Sequence, residues 1–257
     1  MKPLVAVIGD RTETGDLTEG GELPAFAVGE KYARAVHDFA GCLPMLALPV
    51  LTSDDLDDLL ARCDGVFFTG SPSNVHPRHW KGPADTPGPF DEMRDDFALE
   101  LTRRVVAQRV PALFICRGFQ EMNVALGGTL LPEITRVEGR MRHHAPEQAP
   151  LDQRYGPLHE VTLRDGSPLE QIFGARRFMV NSLHYQGLDQ IAPALRLEAR
   201  ADDGTPEAVM LPDHPFAVGV QWHPEFRPDL YPLHARLLAA FGDAARQHAQ
   251  ARNSCAA

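Results

Sequence analysis

Four compact apolar runs, each followed by a segment of helical periodicity, constrain this chain more than any other feature. Leu4–Ile8, Leu43–Leu48, Gly65–Phe68 and Ala112–Ile115 lack the apolar–polar alternation of strands that show one face to water. Between them, Val28, Tyr32, Val36 and Phe39 recur at helical spacing, with Gly41 at the C-cap position. Ser53 is placed to cap an acidic helix through Leu60, and Phe97, Leu101 and Val105 mark a third helix. Strand–helix alternation of this kind buries its strands as a parallel sheet with helices on both faces. The expected fold class is α/β.

The second half reads differently. After Gly127-Gly128, short strand-like stretches follow one another at His159–Leu163, Phe178–Val180, Leu195–Ala199, Glu207–Met210 and Ala217–Gln221, with turn signals such as Asp165-Gly166 and Asp203-Gly204. They predict antiparallel strands that extend the sheet. Residues 71–90 carry five prolines and predict a long irregular loop, and Tyr231 to His248 predicts a final helix. No repeat or linker divides the chain, so residues 1–257 are expected to form one domain.

Composition narrows the function. A formal net charge of −10 argues against nucleic acid, which requires clustered Lys and Arg. No apolar run approaches the ~20 residues of a membrane helix. The four cysteines, at 42, 63, 116 and 255, lack metal-ligand spacing and read as reduced thiols, which predicts a cytoplasmic protein.

Two segments carry chemistry. In Pro111-Ala-Leu-Phe-Ile-Cys-Arg-Gly-Phe-Gln120, an apolar strand ends at Cys116 and a helix begins, with Gly118 allowing the sharp turn. A thiolate there faces free N–H groups at the helix N-terminus. The backbone N–H of Arg117, and that of Gly70 at the end of the third strand, are placed to serve as oxyanion donors. In Val220-Gln-Trp-His-Pro-Glu225, His223 and Glu225 are two apart, so an extended chain turns both the same way, and Pro224 disfavours helix at His223. Thiol, imidazole and carboxylate are the parts of a nucleophilic acyl-transfer site, and none calls for a metal or an organic cofactor. Cys42 and Cys63 read as small core residues, and His143-His144, with Arg140 and Arg142, as a solvated loop that could also touch an anionic substrate. His76 and His79 lack a ligand partner at useful spacing.

These motifs resemble a known family. Ile115-Cys-Arg-Gly-Phe-Gln120 and Gln221-Trp-His-Pro-Glu225 resemble the nucleophile elbow and His-x-Glu segment of class I glutamine amidotransferase domains, which have a flavodoxin-like fold. Phe68-Thr-Gly-Ser-Pro-Ser-Asn-Val75, Cys116-Arg-Gly-Phe-Gln-Glu121 and Val180-Asn-Ser-Leu-His184 resemble, more narrowly, the gamma-glutamyl-gamma-aminobutyrate hydrolase family (peptidase C26). The likeness spans Val5 to about Glu225. It implies a cofactor-free cysteine hydrolase of γ-glutamyl amides, in the setting of putrescine and other polyamine catabolism. Carried over, Cys116 is the nucleophile, His223 the base and Glu225 its orienting partner, with oxyanion donors at Gly70 and Arg117. Gln120, Asn181, Ser182 and His184 would lie near the glutamyl group. Phe114, two before the nucleophile where the family usually has a small residue, and Tyr185 after His184 depart from the pattern.

Two rivals remain at this level: a glutaminase component passing ammonia to a synthetase partner, and a ligand-binding homologue without catalysis. Arg117, Arg140, Arg142 and the acids Asp91, Glu92 and Asp95 offer partners for either charge on the leaving amine. The chain also leaves room for a homodimer.

Overall fold

In the computed structural model, which describes residues 1–13, 24–146 and 148–255, the four apolar runs lie in one sheet. The chain begins with β1 (Leu4–Ile8), the antiparallel pair β2 (Asp10–Glu13) and β3 (Pro24–Ala27), and α1 (Glu30–Arg34), which runs on as a π-helical stretch over Ala35–Phe39. It continues through β4 (Leu43–Ala47), α2 (Ser53–Arg62), β5 (Gly65–Phe68), α3 (Glu92–Ala107), β6 (Ala112–Ile115), α4 (Arg117–Ala125) and β7 (Leu130–Leu131). Then come α5 (Leu151–Arg154), β8 (His159–Leu163), α6 (Pro168–Phe173), β9 (Arg177–Val180) and β10 (Gly187–Leu188). Strands β11 (Arg196–Ala201), β12 (Pro206–Met210) and β13 (Ala217–Val220) precede α7 (Pro232–Cys255).

The main sheet has nine strands in the order β4-β1-β5-β6-β13-β12-β11-β8-β9. From β4 to β13 neighbours are parallel, and from β13 to β9 they are antiparallel. Alternation along each strand divides the core in two. Ala6, Ile8, Val66, Phe68, Ala112 and Phe114 face one side, packed with Leu59 of α2, Leu101 of α3 and Met122 of α4. Val5, Val7, Phe67, Leu113 and Ile115 face the other, with Leu169 of α6 and Leu237 and Phe241 of α7. Both faces of the parallel strands are therefore covered, which explains their unbroken apolar composition.

Several details differ from the sequence reading. The residue before α2 that meets its first turn is Thr52, not Ser53: its N–H and hydroxyl both donate to the Asp55 carboxylate, at 2.8 and 2.7 Å. Strand β13, expected among antiparallel strands, pairs parallel with β6 and antiparallel only with β12. Turn signals mark where a strand ends but do not name its partner. Helix α6 lies where only strands were expected, although Ser167 accepts from Leu169 N–H, Pro168 opens the helix and Gly174 closes it at φ 65°. His143, expected in a solvated loop, is fully buried. Among the described residues no helix is long and apolar enough to cross a membrane.

Candidate active site

Cys116 occupies the sharp turn between β6 and α4. Its φ of 52° and ψ of −101° lie outside the regions an ordinary L-residue prefers. The turn is held because Cys116 N–H donates to Val220 O at 2.8 Å, which ties it to the end of β13. Gly118 must be small: a Cβ there would stand 2.7 Å from Phe68 Cβ and 2.8 Å from Phe68 O. The Phe114 ring is fully buried and stacks on Phe68, centroids 4.1 Å apart, so its bulk is absorbed by the core.

A buried ionic cluster braces both strand ends. Arg94 on α3 donates to Glu121 on α4 at 2.9 Å, to Thr69 O at 2.5 Å and to Asp10 at 2.5 Å. Arg117 donates to Asp95 at 2.6 Å and also to Glu121. The Arg117 side chain is thus committed to this cluster rather than to a substrate charge, while its backbone N–H, first in α4, has no carbonyl inside the helix to bond. The other charges named from sequence are also occupied. Arg140 donates to Asp203 O, Arg142 to His144, Asp91 caps α3 and Glu92 pairs with Arg78.

His223 and Glu225 follow β13 and meet Cys116 around Gly70. A Cβ on Gly70 would lie 2.7 Å from His223 Cε1, 2.7 Å from the Tyr32 hydroxyl and 3.3 Å from Cys116 Cβ. The Cys116 and His223 side chains thus border the same small space beside Gly70. His223 Nδ1 lies 2.7 Å from Glu225 Oε1. Lys31, which carries no motif in the sequence, donates to the same oxygen at 2.7 Å and to the Tyr155 hydroxyl at 2.8 Å. Burial would raise the Glu225 carboxyl, but the Lys31 and His223 charges outweigh it and hold it down to about 2. Burial would lower His223, and Lys31 opposes its charge, yet Glu225 and Cys116 lift it to about 10. Around neutral pH the imidazole is therefore a cation paired with the Glu225 carboxylate.

A cleft of about 320 Å³ opens at Cys116. Gln120, His184, Tyr185 and Arg154 contribute to its lining. The Gln120 amide is anchored, donating to Gln186 O at 2.9 Å and Gln221 Oε1 at 3.1 Å. Asn181 and Ser182, expected beside the glutamyl group, do not line the cleft. Asn181 instead brackets the backbone of His223, accepting from its N–H at 2.7 Å and donating to its O at 3.0 Å. Ser182 donates to His143 O at 2.7 Å. Arg154 belongs to α5, a helix of four residues too short to leave a periodic signature. The same turn supplies Tyr155, whose ring stands edge-on to His223 at 5.3 Å.

The architecture is shared with solved structures. A glutamine amidotransferase from Methylobacillus flagellatus superposes with TM-score 0.55 at 14% identity, covering 96% of this chain and 94% of that one. A protein of Thermoplasma acidophilum, described as a candidate GMP synthase component, superposes with TM-score 0.63 at 15% identity, covering 98% of both chains. The fold is therefore that of class I glutamine amidotransferases. Within it the chain belongs to the Peptidase C26 family, whose model matches residues 3–225. Its relatives include the gamma-glutamyl-gamma-aminobutyrate hydrolase of Escherichia coli O157:H7, 40% identical over 85% of this chain and 86% of that protein. Another is PuuD of Escherichia coli K12, of the same name, 39% identical with the same coverage.

Proposed function

We propose that this chain hydrolyses γ-glutamyl amides, gamma-glutamyl-gamma-aminobutyrate or a related γ-glutamylated amine, releasing glutamate in polyamine catabolism. The observation that carries the reading is the meeting of Cys116, His223 and Glu225 around Gly70, in a chain whose relatives are named for this reaction.

The Cys116 thiolate attacks the γ-carbonyl carbon, and the carbonyl oxygen becomes an oxyanion that accepts hydrogen bonds from the Gly70 and Arg117 N–H groups. The His223 imidazolium, held through Nδ1–H by Glu225, gives its Nε2 proton to the departing nitrogen as the C–N bond breaks. A glutamyl thioester and a free amine result. The now neutral imidazole takes a proton from water, hydroxide adds to the thioester, and the C–S bond breaks. Glutamate leaves, and thiolate and imidazolium are restored. Gln120 and His184 border the space for the glutamyl group, and Asn181 serves as a positioning residue that fixes His223. Arg154 in the cleft lining has no hydrogen bond or ion pair from its guanidinium among the described residues, so it is free to bind a substrate carboxylate.

The test is a panel of γ-glutamyl amides and glutamine assayed on the isolated protein and on Cys116→Ala. Glutamate release from the γ-glutamyl amides should exceed that from glutamine. It should fall by at least about 10⁴-fold in the variant, the loss typical of removing a catalytic nucleophile. Turnover retained in Cys116→Ala would overturn the nucleophile assignment. Turnover of glutamine alone would favour an ammonia-supplying glutaminase.

A further inference from the structure

Behind the cleft wall, four side chains from four separate segments converge on one buried point; of them only His184 also borders the cleft. His143 lies in the segment between β7 and α5, His159 opens β8, Glu207 is on β12 and His184 follows β9. All four are buried. His143 Nδ1 and His159 Nε2 stand 3.3 and 3.2 Å from Glu207 Oε1, and one ligand atom from each of these three residues lies within 4.8 Å of the others. His184 Nε2 is 3.9 Å from the same oxygen.

Hydrogen-bond accounting leaves this point short of positive charge. His143 Nε2 is 2.9 Å from Asp203 Oδ2, which can only accept, so Nε2 carries a proton and a neutral ring turns its Nδ1 lone pair inward. His184 Nδ1 is 2.8 Å from Gln186 O, so its Nε2 lone pair also points inward. The Ser182 hydroxyl proton is spent on His143 O. Both Glu207 oxygens, both His159 nitrogens and His184 Nε2 have no hydrogen-bond partner among the described residues. A neutral His159 brings one proton to a place where every other atom accepts. Buried acceptors facing each other in this way are costly unless a cation lies between them.

The spacing suits a particular cation. Zinc bonds of roughly 2.0–2.2 Å to nitrogen and oxygen in a tetrahedron set donors about 3.3–3.5 Å apart. The His143 and His159 nitrogens already stand near that distance from Glu207. Asp203 on the far nitrogen of His143 and the Gln186 carbonyl on that of His184 are the outer partners that fix metal-binding imidazoles. We propose that His143, His159, His184 and Glu207 form a zinc(II) site. Three imidazoles and one carboxylate close the coordination shell, so the ion is structural. It would tie β8 and β12 to the two loops that carry His144 and Tyr185 into the cleft wall. A metal-free rival exists: a doubly protonated His143 shared by Asp203 and Glu207.

The experiment measures metal content by mass spectrometry on untagged protein expressed with added zinc, then repeats it on His159→Ala and Glu207→Gln. One equivalent of zinc is expected in the wild type, and its loss in both variants. Chelator-stripped wild type should gain on the order of 10 °C in Tm when zinc is present at about a thousandfold its Kd. Cobalt(II) in its place should give the intense visible bands of a four-coordinate ion. If a variant fails to fold, the wild-type content, Tm response and cobalt spectrum still decide. Wild type that retains no zinc and shows no Tm response overturns the proposal in favour of the protonated His143. Zinc retained undiminished in folded His159→Ala overturns it in favour of binding elsewhere.

Discussion

Lys31→Met perturbs the site without touching any reacting atom. Lys31 Nζ stands 3.5 Å from His223 Nδ1, and both share the Glu225 oxygen. Two unit charges at that separation repel by about 5 kcal/mol at an effective dielectric of 20, and by about 1 kcal/mol at the value for water. The Lys31 side chain is 25% exposed, which places the effect toward the lower figure. Removing this repulsion makes the imidazolium easier to keep, so the His223 pKa should rise by roughly one unit. The wild-type value is already lifted to about 10, so the variant's ring should stay protonated further into alkali. The assay is NMR titration of the His223 ring with labelled histidine, compared with the alkaline limb of kcat/KM. Glu225, buried and short of one donor, should at the same time cost about 1–3 kcal/mol of stability. Lys31→Arg should restore most of that. A His223 pKa that stays in place or falls in Lys31→Met would refute this account of the charge balance.

The Glu225–His223 pair should also shape stability against pH. Glu225 is held down to about 2, so its contribution is complete above the ordinary carboxylate range near 4.5 and is lost as pH falls toward 2. His223 is lifted to about 10, so its contribution is complete below 6.5 and is lost as pH rises toward 10. Urea unfolding midpoints should therefore decline on both sides in the wild type and flatten in Glu225→Gln; equal slopes in the two proteins would count against the linkage. Gly70→Ala should lower kcat at least about 10²-fold, because the new methyl displaces His223 and Tyr32 and disturbs an oxyanion donor, as steady-state kinetics can check. Arg154→Ala should raise KM for substrates with a free carboxylate by about 10-fold or more while leaving Tm within about 2 °C, since a partnerless guanidinium contributes little to folding. An unchanged KM would remove Arg154 from substrate binding.

Much of the parallel half was legible because its signals are local. Continuous apolar runs such as Val66–Phe68 and Ala112–Ile115 demand burial on both faces, and helical spacing between them supplies the cover. Helix α6 is legible in the same local way, through its caps at Ser167-Pro168 and Gly174, but at six residues it is too short for periodicity to mark it. The partner of β13 was not legible, since pairing is decided by which edge remains open once the other strands have packed. Nor could spacing reveal that Asn181 turns to the His223 backbone, a contact spanning 42 positions.

Local patterns along the chain specify the alternation of strand and helix, the cysteine at a strand end and the His-Pro-Glu segment. Each is written in neighbouring residues, where backbone geometry and burial act over a few positions. Packing alone brings Lys31 to Glu225, spends Arg117 on Asp95 and Glu121, and crowds three histidines and Glu207 at one buried point. Charge and lone-pair interactions depend on distance in space and on shielding from water, and neither can be read from distance along the chain.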